Sequence, residues 1–456
     1  MLLLGLLANH NKFEFQNPYQ HRLEDFVNEQ VMQSIVQHIE CICSRIRDSF
    51  LAVQDDAPEG WHISTALAYV GLQSLAPESK RRKAALPEEE AKRRFDQLPP
   101  VEASIYLPIY AFVRANKLFA SKFISPREPH SAPSAFAAFL SSVSYLSHHA
   151  YRSSRCSRYC VLALLTIQAL VEDSVLSKRL ASEEVPIRLS QQRPPYPPLV
   201  SSKRIPAAAI LDICSDSINH NLRRRLDLPL YSLALGIMLR VVSYLGQHRI
   251  RLTSHWPYLW ASLISLLRFL TQYASDMISS LPSIQVEVCT PLANFLAFCL
   301  SSGEQFLPDS SSHDDLFYKI IELGADLLIK FRNAYYPSAS HNTTSAPTTT
   351  TPTPPSINIL LHVSNHYHDL LSSASSRNQT SGVASSEKDP TKSTTTHHRS
   401  PATIHKVIRQ GYDTLNIEAG TELGSWEPWR EHGGRWKGEL KAIVRMLVMD
   451  AREIVR

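Results

Sequence analysis

Glycine is scarce in this chain, 14 of 456 residues, about half the usual share of roughly 7%. So little glycine leaves few positions for the left-handed turns that join antiparallel strands, and a β-rich fold is disfavoured. A charge of one sign is lacking too: 47 Lys and Arg face 42 Asp and Glu, a formal excess of +5. Spread over this length, it does not form the concentrated basic face that marks a nucleic-acid-binding domain. The seven cysteines are odd in number and follow no framework spacing, which argues for a reducing compartment rather than a disulfide scaffold. No Gly-rich phosphate loop, G-x-S-x-G elbow or kinase signature occurs. No catalytic residue, cofactor-binding residue or metal ligand is therefore expected, and the chain reads as a non-enzyme. The opening MLLLGLL has a short apolar run, no basic leader and no cleavage site after it, so it reads as a core helix and not a signal peptide.

What the chain has is helical periodicity. Apolar residues recur three and four apart through Leu226 to Tyr335, each stripe wide enough to need a neighbour. Leu259, Leu263, Leu266, Leu267 and Leu270 share one face behind Trp256 and Trp260, and Leu316, Ile320, Leu323, Leu327 and Phe331 form another. The expectation is an all-α fold, a stack of antiparallel helices. The same spacing predicts one long helix from His21 to Val53, others over Trp61–Leu75, Val101–Phe123 (kinked at Pro108), Ser134–Ser147 and Cys156–Leu180, and a C-terminal helix with Leu440, Ile443, Val444 and Leu447 inward. Ser312, with Asp314 and Asp315 behind it, is expected to cap the Leu316 helix.

Composition shifts divide the chain into a first helical array (1–184), a proline-rich linker (185–206), the core of the array (207–336), a low-complexity, mostly disordered insert (337–402) and C-terminal helices (403–456). Six prolines in twenty-two residues forbid a helix in the linker, where Pro194 and Pro197 also match the minimal polyproline ligand. The Ser/Thr/Pro-rich insert has too few apolar residues to offset ordering, apart from a helical island, SINILLHVSNHYHDLL.

Several constellations invite a sharper reading and do not carry it. Cys156 and Cys160 lie four apart with His148 and His149 nearby, but structural zinc needs four ligands at recognisable spacing, so core cysteines are expected. His362, His366 and His368 lack acidic or Cys partners and read as solvated. Lys80 to Lys83 resembles an import signal, yet the same block alternates with Glu88 to Glu90 as a solvated helix does. The runs Leu230–Gly246 and Trp256–Ala274 approach the roughly 20 residues of a membrane span. Arg240 and Arg268 within them favour buried helices, and an integral membrane protein with two spans is the alternative.

One stretch is specific enough to suggest kinship. The order of Arg249, Arg251, Trp256, Trp260, Leu263 and the FLP of Phe306 to Pro308, followed by VIRQGYDTLNIEAG, resembles the C-terminal region of the armadillo-like helical domain-containing protein 3 family. Family members are longer, so the chain resembles their C-terminal half. The resemblance implies an armadillo-like helical solenoid, cytoplasmic and peripheral to Golgi membranes, acting as a scaffold in Golgi maintenance and secretion. It implies protein partners, a Golgi phosphatidylinositol 4-kinase or an Arf exchange factor, and brings no catalytic residues or cofactor. Arg249 and Arg251, in the basic turn QHRIRLTSHW, with Trp256 and Trp260 behind them, are the expected partner-binding residues.

Overall fold

The computed structural model describes residues 2–9, 17–56, 87–126, 134–200, 203–222, 226–337, 353–379, 401–415 and 436–455. Among these, every regular element is a helix, and the only β pairing is an isolated antiparallel bridge between Val185 and Arg204. The fold is all-α, as the periodicity requires. It divides into two compact units, Met1–Tyr244 with Trp429–Arg456, and Leu245–Pro428. The expected Trp61–Leu75 helix and the Lys80–Lys83 block lie outside the described residues.

The first unit is built around the helix Ala135–His149, buried at all fifteen positions. Its sequence AFAAFLSSVSYLSHH is small or apolar on every side, and such a helix has to be surrounded. Glu29–Val53, Ser154–Val171 and Pro206–Asn221 pack around it. Its serines tolerate burial by bonding locally: Ser142 Oγ donates to the Phe139 carbonyl at 2.8 Å and Ser144 Oγ to that of Ser141 at 2.7 Å. The C-terminal helix Lys437–Val455 belongs to this unit and buries Ile443 and Leu447, with Leu440 and Val444 half-buried. Asp450 on the same helix is also buried, accepting from Arg155 and from the Tyr159 hydroxyl.

Three expected helices of this unit are each broken, and side-chain caps explain the breaks. His21–Val53 is split into Pro18–Glu24 and Glu29–Val53, the second capped by Asn28, whose side chain accepts from Val31 N. Val101–Phe123 begins as a 3-10 segment, Val101–Ile105, that runs into the α-helix Tyr106–Ala115, and the break falls at Asn116 rather than Pro108, before Lys117–Ile124. Pro108 sits in a first helical turn, where a missing N–H breaks no bond. Asn116 instead receives Phe119 N on Oδ1 at 2.8 Å and donates Nδ2 to the carbonyls of Leu23 at 2.8 Å and Phe26 at 2.7 Å. One side chain thus holds both breaks. Cys156–Leu180 becomes Ser154–Val171 and Ser174–Leu180, bent by 103°, with Asp173 accepting from Val175 N and Leu176 N.

The proline-rich stretch is helix-free and lies within the first unit rather than between units; its first part packs inward, while Pro194, Pro195, Tyr196, Pro198 and Leu199 are exposed. Val185, Ile187, Leu189, Ser190, Gln191 and Gln192 are buried within the first unit. Their backbone groups find partners there, Gln191 N donating to Asp56 Oδ1 and Ser190 N to Ser144 Oγ.

In the second unit Trp256–Gln272 packs on Ser310–Leu323 and Ala325–Tyr335, and Thr290–Ser302 packs on Pro355–Gln379. Leu259, Leu263, Leu266, Leu267 and Leu270 are all buried, as their spacing predicts. The next stripe is interrupted. Gly324 ends one helix at φ 82°, a conformation that glycine adopts without strain, and the phase then shifts so that Leu328 is buried while Leu327 is half-buried. The cap of Ser310–Leu323 is Asp309, which accepts from Ser312 N at 2.7 Å; Ser312 lies inside the helix. Asp314 is buried and accepts from Arg409 Nε and the Tyr412 hydroxyl. The helical island is real and longer than expected, Pro355–Gln379, with His362 and His368 exposed. The rest of the expected disordered insert lies largely outside the described residues.

Candidate functional site

The basic turn follows the helix Leu228–Gln247. Its backbone closes that helix with two bonds, Ile250 N to the Leu245 carbonyl at 2.9 Å and Arg249 N to that of Gly246 at 3.2 Å. This is the Schellman arrangement, in which the residue after the cap takes a left-handed conformation and is usually glycine. Here it is Arg249, the one non-glycine residue with positive φ among those described, at 52°. A side chain in that region costs about 1 kcal/mol.

The rest of the turn is fastened to the FLP segment. Leu252 N donates to the Phe306 carbonyl at 2.9 Å, and Arg251 Nη1 to that of Pro308 at 3.2 Å. Beneath it Trp256 stacks on Trp260, with ring centroids 5.4 Å apart, and meets Phe306 at 5.6 Å. Trp256 Nε1 donates to the Leu252 carbonyl at 2.9 Å. The residues whose order suggested kinship are therefore one physical assembly, a basic turn on an aromatic base.

That assembly divides the four expected partner-binding residues. Arg249 and Arg251 are exposed. Trp256 and Trp260 are 1% and 0% exposed, so they offer no surface to a partner. Two indoles flanked by leucines at helical spacing bury more apolar area than any exposed placement allows, and their role is to hold the turn.

A second cluster was not foreseen. His148, Asp216 and His220 are buried in the first unit, on the helices Ala135–His149 and Pro206–Asn221. His148 Nε2 lies 3.0 Å from Asp216 Oδ2, and the two imidazole centroids are 4.1 Å apart. Burial pushes the pKa of His148, and of His220, down to about 3, assisted for His148 by the Arg193 charge and for His220 by His148. The sequence signal for this cluster is Asp216 and His220 four apart on one helix face, with no sequence-local sign that His148 joins them. Cys156 and Cys160 take no part: their sulfurs face the Leu146 carbonyl at 3.6 Å and Ser147 Oγ at 3.5 Å, and burial pushes the Cys160 thiol up to about 12. Cys41 is exposed, while the other six cysteines are buried and free.

The two apolar runs also resolve. Among the described residues, two helices are long and apolar enough to cross a membrane, Leu228–Gln247 and Gln285–Gln305, with the bent pair Ser154–Val171 and Ser174–Leu180 a third if taken as one span. Trp256–Gln272, where the alternative reading places its second span, has 17 residues. The protein itself buries 72% and 61% of the two apolar windows, and Arg240, in the first, pairs with Glu172 at 2.7 Å.

Helices alone, packed face on face with an exposed basic turn at a helix junction, define a protein of the armadillo-like helical class. The family model described as the C-terminal region of armadillo-like helical domain-containing protein 3 matches residues 204–453, more than half of the chain, and the chain belongs to that family. Among its relatives, a Schizosaccharomyces pombe protein named as a UPF0588 membrane protein is 28% identical over 321 residues, covering 70% of this chain and 51% of that protein. The armadillo-like helical domain-containing protein 3 of Danio rerio is 23% identical over 304 residues and that of Homo sapiens 22% over 301, each alignment covering 64% of this chain and 40% of the relative. The chain thus spans about half the length, or less, of the curated relatives it matches. No solved structure matches it.

Proposed function

We propose that the chain is a non-enzymatic helical scaffold, cytoplasmic and peripherally associated with Golgi membranes, that binds a protein partner in support of Golgi maintenance and secretion. A Golgi phosphatidylinositol 4-kinase or an Arf exchange factor is the partner the family resemblance favours. The observation that carries the reading is Arg249, a cationic side chain kept where glycine would relieve strain. Strain held at one exposed residue points to a use for its side chain. With Arg251 it offers two exposed cations on a fixed turn, suited to an acidic partner surface or an anionic headgroup layer.

The test separates capping from binding. Arg249→Gly with Arg251→Gln keeps the helix cap and removes both charges. Stability is expected unchanged or higher by up to about 1 kcal/mol. At about 1 kcal/mol per basic residue near an anionic surface, partition onto Golgi-like anionic vesicles, or capture of the kinase or exchange factor, should fall roughly 30-fold. Undiminished recruitment of the folded variant would leave the turn as a helix cap only.

A further inference from the structure

The cluster of His148, Asp216 and His220 has no part in the proposed scaffold role, and its hydrogen bonding departs from that of an ordinary buried network. Each histidine has one ring nitrogen occupied from outside the cluster. His148 Nδ1 faces Ser190 Oγ at 3.1 Å. His220 bonds the Pro195 carbonyl, and does so through Nδ1, since its Nε2 has no partner. A carbonyl only accepts, so the His220 proton is on Nδ1 and its Nε2 presents a lone pair to the interior. His148 and Asp216 are fully buried and His220 is 4% exposed. A buried acceptor left without a donor costs about 1–3 kcal/mol, and that acceptor points at a carboxylate and a second imidazole.

We infer that His148 Nε2, His220 Nε2 and the Asp216 carboxylate supply three ligands of a binding site for a divalent first-row transition ion, zinc above all, with a water taking the fourth position as in sites that have three protein ligands. His220 already holds the tautomer a metal requires; His148, whose Nε2 donates to Asp216 in this structure, takes it by moving its proton to Nδ1, where Ser190 Oγ accepts it, so that each Nε2 then faces the site and each Nδ1 is held from behind. The ligand atoms lie within 4.8 Å of one another. Bonds of about 2.0–2.2 Å bridge ligand atoms no more than about 4.4 Å apart, so a pair at that upper limit closes by roughly half an ångström as the ion seats. The ion would also replace the His148 to Asp216 hydrogen bond, accounting for all three groups at once. Arg193 works against it: its Nη1 donates to the His148 carbonyl at 2.5 Å, and its charge lowers affinity below that of an all-thiolate site. Because the site is buried and its ligands come from two helices, the ion would enter during folding and add to stability.

The experiment uses the full chain, without a polyhistidine tag, expressed in medium supplemented with zinc. Elemental analysis should find about one zinc per chain. After unfolding in chelator, refolding with Zn²⁺ or Co²⁺ should restore one equivalent and raise the melting temperature over metal-free refolding. X-ray absorption at the zinc edge should show nitrogen and oxygen neighbours and no sulfur. His220→Gln should lose the metal while keeping its helical circular dichroism, whereas His362→Gln with His366→Gln should retain one equivalent. If His220→Gln does not fold, the wild-type stoichiometry and absorption spectrum decide. A helical wild type that holds no metal and takes up neither ion overturns the inference, as does sulfur ligation, which would place the ion on the cysteines.

Discussion

At the scale of single residues, burial rather than motif governs the chemistry. Four histidines, His148, His149, His220 and His313, are buried, and desolvation is the first cause holding the pKa of each below the usual value near 6.5. In the unfolded chain each takes a proton near that value; in the folded chain each stays neutral. The unfolded state therefore binds more protons as pH falls, so stability is complete above about pH 6.5 and is lost progressively below it. A single fully shifted histidine removes about 1.4 kcal/mol between pH 7.5 and 5.5, a range in which ordinary carboxylates barely titrate. Urea midpoints should fall accordingly, and His313→Gln, which keeps a donor toward the Leu300 carbonyl, should flatten part of the slope. Midpoints that stay level across this range would contradict the buried, neutral assignment. Arg249 belongs to the same scale: its unusual φ was not legible in the sequence, because QHRIRL carries no glycine to announce a left-handed cap.

At the scale of elements, helix faces were legible and helix ends were not. The Leu259 to Leu270 stripe follows from a period of 3.6 alone, and the Trp256 helix is where the pattern places it. Breaks depend on single polar side chains. Asn28, Asn116, Asp173 and Asp309 each accept backbone N–H groups at a helix start, and only a tertiary partner shows which of many polar residues takes that role. Asn116 is the clearest case, with its cap and its two donations to carbonyls about ninety residues earlier. Asn116→Ala should destabilise by about 3 kcal/mol, one cap and two stranded buried carbonyls together. Asn116→Ser retains a cap acceptor without setting a carboxylate against the two carbonyls, and should lose less than the alanine variant if the cap matters separately from the donations. Denaturant unfolding of the three proteins side by side reads this out; equal losses would show that the cap contributes nothing.

At the scale of the whole molecule, the membrane question turns on what covers the apolar helices. Composition makes Leu228–Gln247 a span candidate, but protein atoms already cover most of its apolar window, and its one arginine has a carboxylate partner. A spanning helix would leave such a pair in lipid, at several kcal/mol. Alkaline carbonate extraction of cell membranes is expected to release the chain into the supernatant; retention in the pellet would favour the integral reading over the peripheral one. By itself the sequence determined the helical class, the inward faces of its long helices and, through the order of Arg249, Arg251, Trp256, Trp260 and the FLP, the family, since local periodicity and motif order are written along the chain. Only the tertiary structure decided that Trp256 and Trp260 are core, that Leu189 to Gln192 of the proline-rich stretch are buried, and that His148 meets Asp216 and His220. Those outcomes depend on which distant segments share one interior, and residues sixty-eight apart, as His148 and Asp216 are, carry no local sign of meeting.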